Sequence, residues 1–279
     1  CILTDNSAQF PYHSFPGQEL VRLIHYDVEL SGIRYPEGKD VKISGLPQSA
    51  DKTLNPRLLP PDENKFIQWF NILGQDYYEI LVILQASALS GAYQNAVAAA
   101  SALKGSLSIQ VINSQTTSAG LGTLVQIAAE AIKRGASATD AERIIRSQVP
   151  HTYTVFCAPG LSYLHHAGIV DRAQALVGEM LNFLPVYTLE EDRLTALEKM
   201  RNYRATLDFF AEFLEEFENI RHISFIQSVP PLITETRAMR QLLLEMHPNT
   251  SYSEHNLNTP LAVVFGPRLL GLIIVENID

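Results

Sequence analysis

The first half of the chain alternates short apolar strands with amphipathic or alanine-rich helices. Strand patterns cover residues 1–4, 77–84 and 107–112, and helical patterns follow at 63–73, 93–103, 118–133 and 139–148. Parallel strands need a long crossover connection, so this alternation predicts a mostly parallel sheet with helices on both faces. We therefore expect an α/β fold that begins with a three-layer α/β/α domain over residues 1–150. A further strand is expected at residues 20–30.

The second half has a mixed pattern. Extended segments are expected at 152–157, 185–189, 223–226, 261–265 and 270–275, and helices at 161–166, 173–181 and 233–246. Residues 192–217 fit a helix with Leu207, Phe210 and Leu214 on one face, although 193–200 also fits a half-buried edge strand. This pattern predicts a two-layer α+β domain over residues 151–279, with its helices on one face of a sheet.

Charge and composition exclude several classes of partner. The chain has 21 Lys and Arg against 30 Asp and Glu, a net charge of −9, and its basic residues are scattered. This distribution disfavours nucleic acid, and no apolar stretch reaches the ~20 residues of a membrane-spanning helix. The two cysteines, Cys1 and Cys157, are too few for a disulfide framework or a cysteine metal site. We expect a cytoplasmic protein without a metal ion, a cofactor or stable membrane insertion.

Polar residues follow each of the three predicted strands. They are Thr4, Asp5, Asn6 and Ser7 after the first strand, Ser87 to Tyr93 after the second, and Ser114 and Ser118 after the third. The carboxyl ends of parallel strands share one edge of the sheet, where ligands of such folds bind. We therefore expect these three loops to lie together and to line a ligand site.

The loop from Ser87 to Tyr93 carries the most specific signal. Ser87 and Ser90 supply hydroxyl groups, and Gly91 allows close backbone approach at the start of a helix. Such a turn favours a small anion, either a carboxylate or a phosphate. A structural interpretation stands beside this one, because the same residues serve as helix caps and Asx-type turns.

Other residues that could carry chemistry have simpler interpretations. His165 and His166 are neighbours on a helix, and no carboxylate–histidine metal spacing surrounds them. Cys157 follows an apolar strand and fits a small buried hydrophobe. The G-x-S-x-G sequence of many serine hydrolases is absent.

Five segments in register resemble the DegV family over essentially the whole chain. Thr4-Asp5-Asn6-Ser7 resembles its T-D-S-S/T opening, and Ser87 to Tyr93 resembles its S-x-x-S-G-T-Y segment. Residues 113–122 resemble the D-S-x-x-x-S-x-G-x-G segment, residues 163–185 the Y-L-x-x-G-G-R-I … L-N-x-x-P block, and residues 266–271 the closing G-P-G-x-x-G.

The resemblance implies two α/β domains with a long-chain fatty acid in a cleft between them. The carboxylate would contact Ser87, Ser90 and the backbone of Gly91, and the acyl tail would enter the C-terminal domain. The family protein is a carrier and not an enzyme, and some members present the fatty acid to a fatty-acid kinase. The resemblance therefore implies a fatty-acid kinase as a partner of the present chain.

Several positions depart from the family pattern. Leu58 and Leu59 stand where the family has hydroxyl residues, Val264 where it has His, and Ile169 where it has Arg; Ala86 and Ala92 replace a Ser and a Thr. Arg268 replaces a Gly and could supply a cation near the mouth of the pocket, or be an ordinary surface residue. These changes leave open a ligand with fewer polar contacts, a different lipid head group, or a lost kinase partner.

Two other classes of function remain as alternatives. One is an enzyme that uses the same cleft, either hydrolase-like or phosphate-handling. The other is a regulatory protein with a vestigial pocket.

Overall fold

The structure is a computed structural model that describes residues 1–278. Its strands are β1 (Ile2–Asp5), β2 (Val21–Ile24), β3 (Asp27–Leu30), β4 (Ile33–Tyr35), β5 (Arg57–Leu59), β6 (Glu79–Leu84), β7 (Ser108–Asn113), β8 (Thr152–Cys157), β9 (Leu184–Glu190), β10 (Arg193–Met200), β11 (Ile220–Gln227), β12 (Ser251–Asn256) and β13 (Leu270–Glu276). Its α-helices are α1 (Glu63–Leu73), α2 (Ala92–Ala102), α3 (Ser118–Lys133), α4 (Ala138–Gln148), α5 (Leu161–His166), α6 (Arg172–Met180), α7 (Tyr203–Leu214), α8 (Ile233–Met246) and α9 (Thr259–Phe265).

The first sheet has four strands in the order β2–β1–β6–β7, and all of its pairs are parallel. Alternate side chains of the central strand β6 face opposite layers, because strand side chains repeat every two residues. Leu81 and Ile83 pack in the core beneath α3 and α4, whereas Ile80 and Val82 pack beneath α1 and α2. The predicted three-layer α/β/α arrangement is therefore confirmed.

The prediction of one strand over residues 20–30 is wrong. β2 lies in the parallel sheet, and β3 lies in a separate antiparallel sheet with the order β4–β3–β5. Between the two strands, the side-chain carbonyl of Asn6 accepts a hydrogen bond from the N–H of Tyr26 (3.0 Å). This contact, made by the loop that follows β1, lies where the chain leaves the parallel sheet and enters the three-stranded antiparallel sheet. The local apolar pattern of residues 20–30 does not reveal the break.

The second large sheet has six strands in the order β10–β9–β8–β13–β11–β12. Its pairs are antiparallel except for β11 with β12. The long helices α7 and α8 cover one face, where Phe210 and Met239 pack against Cys157 and Phe225. On the opposite face, α5, α6 and α9 share a core with Ala86, Leu89 and Ala119 of the first domain.

Two segments of the second half differ from the prediction. Residues 261–265 lie in α9 and not in an extended segment, because the Asn258 side chain caps the helix at the N–H of Leu261 (3.1 Å) and Pro260 starts it. Every residue of α9 from Pro260 to Phe265 is buried, and this burial hides the helical period. Residues 192–217 divide into β10 and α7, so the edge-strand alternative for residues 193–200 is the correct one.

The predicted domain boundary near residue 150 falls in the turn between α4 and β8. The domains 1–150 and 151–279 remain predictions, and Asp279 lies outside the described residues. Within residues 1–278 there is no helix with the length and hydrophobicity to cross a bilayer. The same residues contain no group of three or more His, Cys, Asp or Glu arranged to hold a metal ion.

Candidate functional site

Hydrogen bonds join the three loops that follow β1, β6 and β7. A carboxylate oxygen of Asp5 accepts from the N–H of Gln85 (2.8 Å), and the carbonyl of Thr116 accepts from the N–H of Ala86 (2.8 Å). The Asn113 side chain accepts from the N–H of Ser87 (3.2 Å). The structure therefore brings the three polar segments together at one edge of the parallel sheet.

In the first loop, the side chains of Asp5 and Asn6 accept hydrogen bonds from backbone N–H groups. The fully buried Asp5 carboxylate accepts from the N–H (2.9 Å) and the hydroxyl (2.5 Å) of Ser7, which makes an Asx-type turn. Burial raises the pKa of Asp5, while these hydrogen bonds oppose the rise. The Thr4 hydroxyl is buried and has no hydrogen-bond partner within residues 1–278. Of these residues, Thr4 is the one whose polar group is left unsatisfied.

The second loop presents two donors to a single carboxylate. The Ser87 hydroxyl donates to Oδ2 of Asp192, and the N–H of Ala88 donates to Oδ1 of the same residue (3.1 Å). We call these two donors the serine cradle. Asp192 lies in the turn between β9 and β10 and is half-buried. The loop therefore holds a carboxylate, and that carboxylate comes from the second half of the chain.

Ser90 and Gly91 lie beside the serine cradle at the start of α2. The Ser90 hydroxyl is within hydrogen-bond distance of the Tyr26 hydroxyl (2.9 Å), and burial raises the pKa of Tyr26 well above its ordinary value. Gly91 caps α2 with a φ of −79°, and a Cβ built there would meet no atom closer than Pro60 Cγ at 3.9 Å. Gly91 is exposed beside the serine cradle. Its backbone conformation does not require glycine.

Ser114, Ser118 and Arg268 do not join the serine cradle. The buried Ser114 hydroxyl donates to the carbonyl of Thr116 (3.1 Å), and the Ser118 hydroxyl donates to the Gln9 side chain (2.6 Å). Arg268 is half-buried and lines a separate cavity of about 240 Å³, which no residue of the three loops lines. The structure does not support a cation from Arg268 at the predicted head-group position.

A larger apolar cavity lies between α5, α6 and the β9–β10 hairpin. Its volume is about 530 Å³, and its apolar walls include Leu161, Ile169, Val170, Val177, Phe183 and Leu194. Lys199 supplies a cation at this cavity, with its Nζ 6.0 Å from the centre of the Phe183 ring. Leu161, Ile169, Val170 and Leu194 belong to the hydrophobic cluster that also contains Ala86 and Ala88, on either side of Ser87. Ser87, Ala88 and Asp192 do not line this cavity. The cradle and the cavity are related through the hydrophobic cluster that packs beside both.

The departures noted in the sequence place apolar groups near this core. Val264 is buried within it on α9, and Leu58 packs against it from β5. Ile169 lines the apolar cavity itself. These three positions are therefore apolar in the structure as well as in the sequence.

The sequence pattern did not point to Asp192, Tyr26 or Lys199. Asp192 is 105 residues from Ser87, and the acidic sequence of its turn is typical of an exposed hairpin loop. Tyr26 lies inside a segment that was predicted as continuous strand. The alternation of apolar residues on β10 was the one available signal for the cavity wall, since Leu194 and Ala196 share a face.

A second polar cluster lies on β11 and β12. His222 Nδ1 and Nε2 are each 2.8 Å from a serine hydroxyl, that of Ser251 and that of Ser253, and the Tyr12 hydroxyl is 2.5 Å from Ser251 Oγ. Burial lowers the pKa of His222 to about 4 and that of His255 to about 4. Both imidazoles are therefore neutral at pH 7, and this cluster joins the loop around Tyr12 to the second sheet.

Comparison with known proteins identifies relatives that span the chain. The family model described as the DegV family matches residues 1–277. A DegV domain-containing protein of Caldanaerobacter subterraneus is 24% identical over 77% of this chain and 76% of its own length. Two solved structures share the fold over 99% of both chains. One, described as fatty acid binding of a DegV family protein from Thermus thermophilus, has a TM-score of 0.81 at 22% identity. The other is the Streptococcus pneumoniae Fatty Acid Kinase (Fak) B3 protein loaded with linoleic acid, with a TM-score of 0.80 at 14% identity.

Proposed function

Because this chain belongs to the DegV family, we propose that it binds a long-chain fatty acid as a lipid carrier. The carboxylate would bind at the serine cradle and the acyl tail in the apolar cavity. One observation carries the proposal: the Ser87 hydroxyl and the Ala88 N–H already bind a carboxylate, that of Asp192. The cradle thus has the donor geometry that a fatty-acid head group requires.

The apolar cavity supplies the affinity in this proposal. Its volume of about 530 Å³ lies within the range of small-molecule pockets, roughly 300–1,000 Å³. Burial of a sixteen-carbon chain at ~0.8 kcal/mol per methylene contributes roughly 10 kcal/mol before association costs. Hydrogen bonds to the charged head group add ~1.5–3 kcal/mol each and orient the ligand.

A carrier role explains the polar contacts better than catalysis at this site. The hydroxyl of Ser87 meets a carboxylate and that of Ser90 meets a phenol, so neither has a histidine base. Ser87 and Ser90 are half-buried and Gly91 is exposed, so a partner protein can reach the head group. We propose a fatty-acid kinase as that partner, on the precedent of the Streptococcus pneumoniae protein. The free thiols of Cys1 and Cys157 fit the proposed cytoplasmic location.

The experiment is a measurement of palmitic acid binding by native mass spectrometry and calorimetry on delipidated protein. Ala196 and its neighbour Thr195 are both exposed on β10, but Ala196 lines the cavity and Thr195 does not. Ala196→Trp should exclude several methylenes and weaken binding by about 3 kcal/mol, roughly 100-fold. Thr195→Trp makes the same substitution beside the cavity and should bind as the wild type does.

The proposal fails if wild-type protein binds no acyl chain from six to eighteen carbons. An empty protein of this kind would support the regulatory alternative with a vestigial pocket. Equal weakening by Ala196→Trp and Thr195→Trp would place the acyl tail elsewhere.

A further inference from the structure

Asp192 occupies the position that the proposed ligand's carboxylate needs. Both of its carboxylate oxygens are engaged, one by the Ser87 hydroxyl and the other by the Ala88 N–H. The Ser87 hydroxyl and the Ala88 N–H carry one hydrogen each, so these two donors cannot satisfy two carboxylates at once.

The β9–β10 turn presents Asp192 to the serine cradle through two residues in the left-handed backbone region. Glu191 has a φ of 47° and Asp192 a φ of 59°, in a two-residue turn between antiparallel strands. Such turns favour Asn-Gly or Asp-Gly, because glycine adopts a positive φ without steric cost. A glycine at position 192 would fit the turn better, yet it would leave the serine cradle without its carboxylate. Two residues other than glycine kept in the left-handed region beside the serine cradle point to a constraint on Asp192.

The carboxylate of Asp192 has no basic side chain paired with it in the part of the chain that the structure describes. It forms no ion pair with a lysine or arginine within residues 1–278, and the nearest cation in sequence, Arg193, is exposed. A fatty-acid carboxylate that approaches the same donors therefore meets like-charge repulsion as well as occupied hydrogen bonds.

We propose that Asp192 is an intramolecular competitor of the ligand's carboxylate, and that it sets the affinity and head-group selectivity of the site. The inference rests on the proposed function. Binding of a fatty acid requires the β9–β10 turn to withdraw Asp192, and the return of Asp192 favours release. Leu194 and Ala196, which follow on β10, line the apolar cavity, so withdrawal of the turn also moves the cavity wall.

The test compares palmitic acid binding by wild type, Asp192→Gly and Glu191→Gln. Asp192→Gly removes the competitor and suits the positive φ, so it should bind palmitic acid about tenfold more tightly or better. Glu191→Gln removes the same charge one residue away and should leave the affinity within about twofold of wild type. Methyl palmitate has no carboxylate, so Asp192→Gly should improve its binding much less.

A second substitution separates competition from a general change in the fold. Ser87→Ala should weaken palmitic acid binding by about tenfold in the Asp192→Gly background, where Ser87 serves the ligand alone. In wild type its effect should be smaller, because the substitution weakens the competitor as well.

The proposal is overturned if wild type binds palmitic acid and Asp192→Gly binds it no more tightly. Equal gains for Asp192→Gly and Glu191→Gln would also overturn it, because they would show a nonspecific charge effect. If neither wild type nor Asp192→Gly binds any acyl chain, the proposed function itself fails, and the inference fails with it.

Discussion

Acidification should weaken the fold through His222, which lies on β11 beside β12 and is 3% exposed. Its folded pKa of about 4 lies below the ordinary value of 6.5, mainly because burial disfavours the charged form, with His255 and Arg221 adding to the effect. Below pH 6.5 the unfolded chain takes up a proton that the folded chain does not. The stability from a neutral His222 is therefore complete above pH 6.5 and is lost as pH falls towards 4. Linkage gives a loss of about 2 kcal/mol between pH 7 and pH 5.

Urea denaturation at a series of pH values measures this loss. His222→Gln keeps a side chain that can bond the serines and removes the titration. The carboxylates and His255 titrate in both proteins, so the difference between the two stability curves reports His222. Wild type should lose about 2 kcal/mol more than His222→Gln between pH 7 and pH 5. Parallel curves over this range would refute the argument, because they would mean that folded His222 accepts a proton as readily as the unfolded chain does.

Three further predictions concern packing and capping. Gly122→Ala should lower the free energy of unfolding by about 2 kcal/mol or more, because the new Cβ would lie 2.0 Å from the carbonyl oxygen of Gln9. Gly91→Ala is its control and should change stability by less than about 0.5 kcal/mol in the same urea titration, since its Cβ would meet only Pro60 Cγ, at an ordinary contact distance of 3.9 Å. Asn258→Ala should cost about 1–2 kcal/mol, because it removes the cap of α9 and a hydrogen bond to the carbonyl of Ser7 (2.7 Å). Phe210→Ala should cost about 3–5 kcal/mol in thermal or urea unfolding, as expected for a fully buried ring on α7; a loss below 1 kcal/mol would mean that this core collapses around the gap.

The parallel sheet was predictable because its signals are local. The residues of β6 from Ile80 to Leu84 are buried on both faces, so the strand appears in the sequence as an unbroken apolar run. The helix beginning after Asp62 was equally clear, since the Asp62 side chain accepts from the N–H of Lys65 (2.8 Å) as a cap should.

The missed elements lack such local signals. β12 reads Ser-Tyr-Ser-Glu-His-Asn and is a polar edge strand. Among the described strands it pairs with β11 alone, and two of its serine hydroxyls bond to His222. The helix α9 is buried on every side, so its apolar residues show no helical face. In both cases the neighbouring element, and not the segment's own pattern, determines the conformation.

The sequence by itself determined the parallel sheet, the three polar loops at its edge, and the likeness to the DegV family. These follow from local periodicity and from short motifs whose residues are neighbours in the chain. Only the tertiary structure decided what the serine cradle holds. Its Ser87 hydroxyl bonds to Asp192, a residue 105 positions away in the β9–β10 turn of the six-stranded sheet. Beside the cradle, Ser90 bonds to Tyr26. Hydrogen bonds at that separation depend on how the two sheets pack, and no pattern within either loop specifies them.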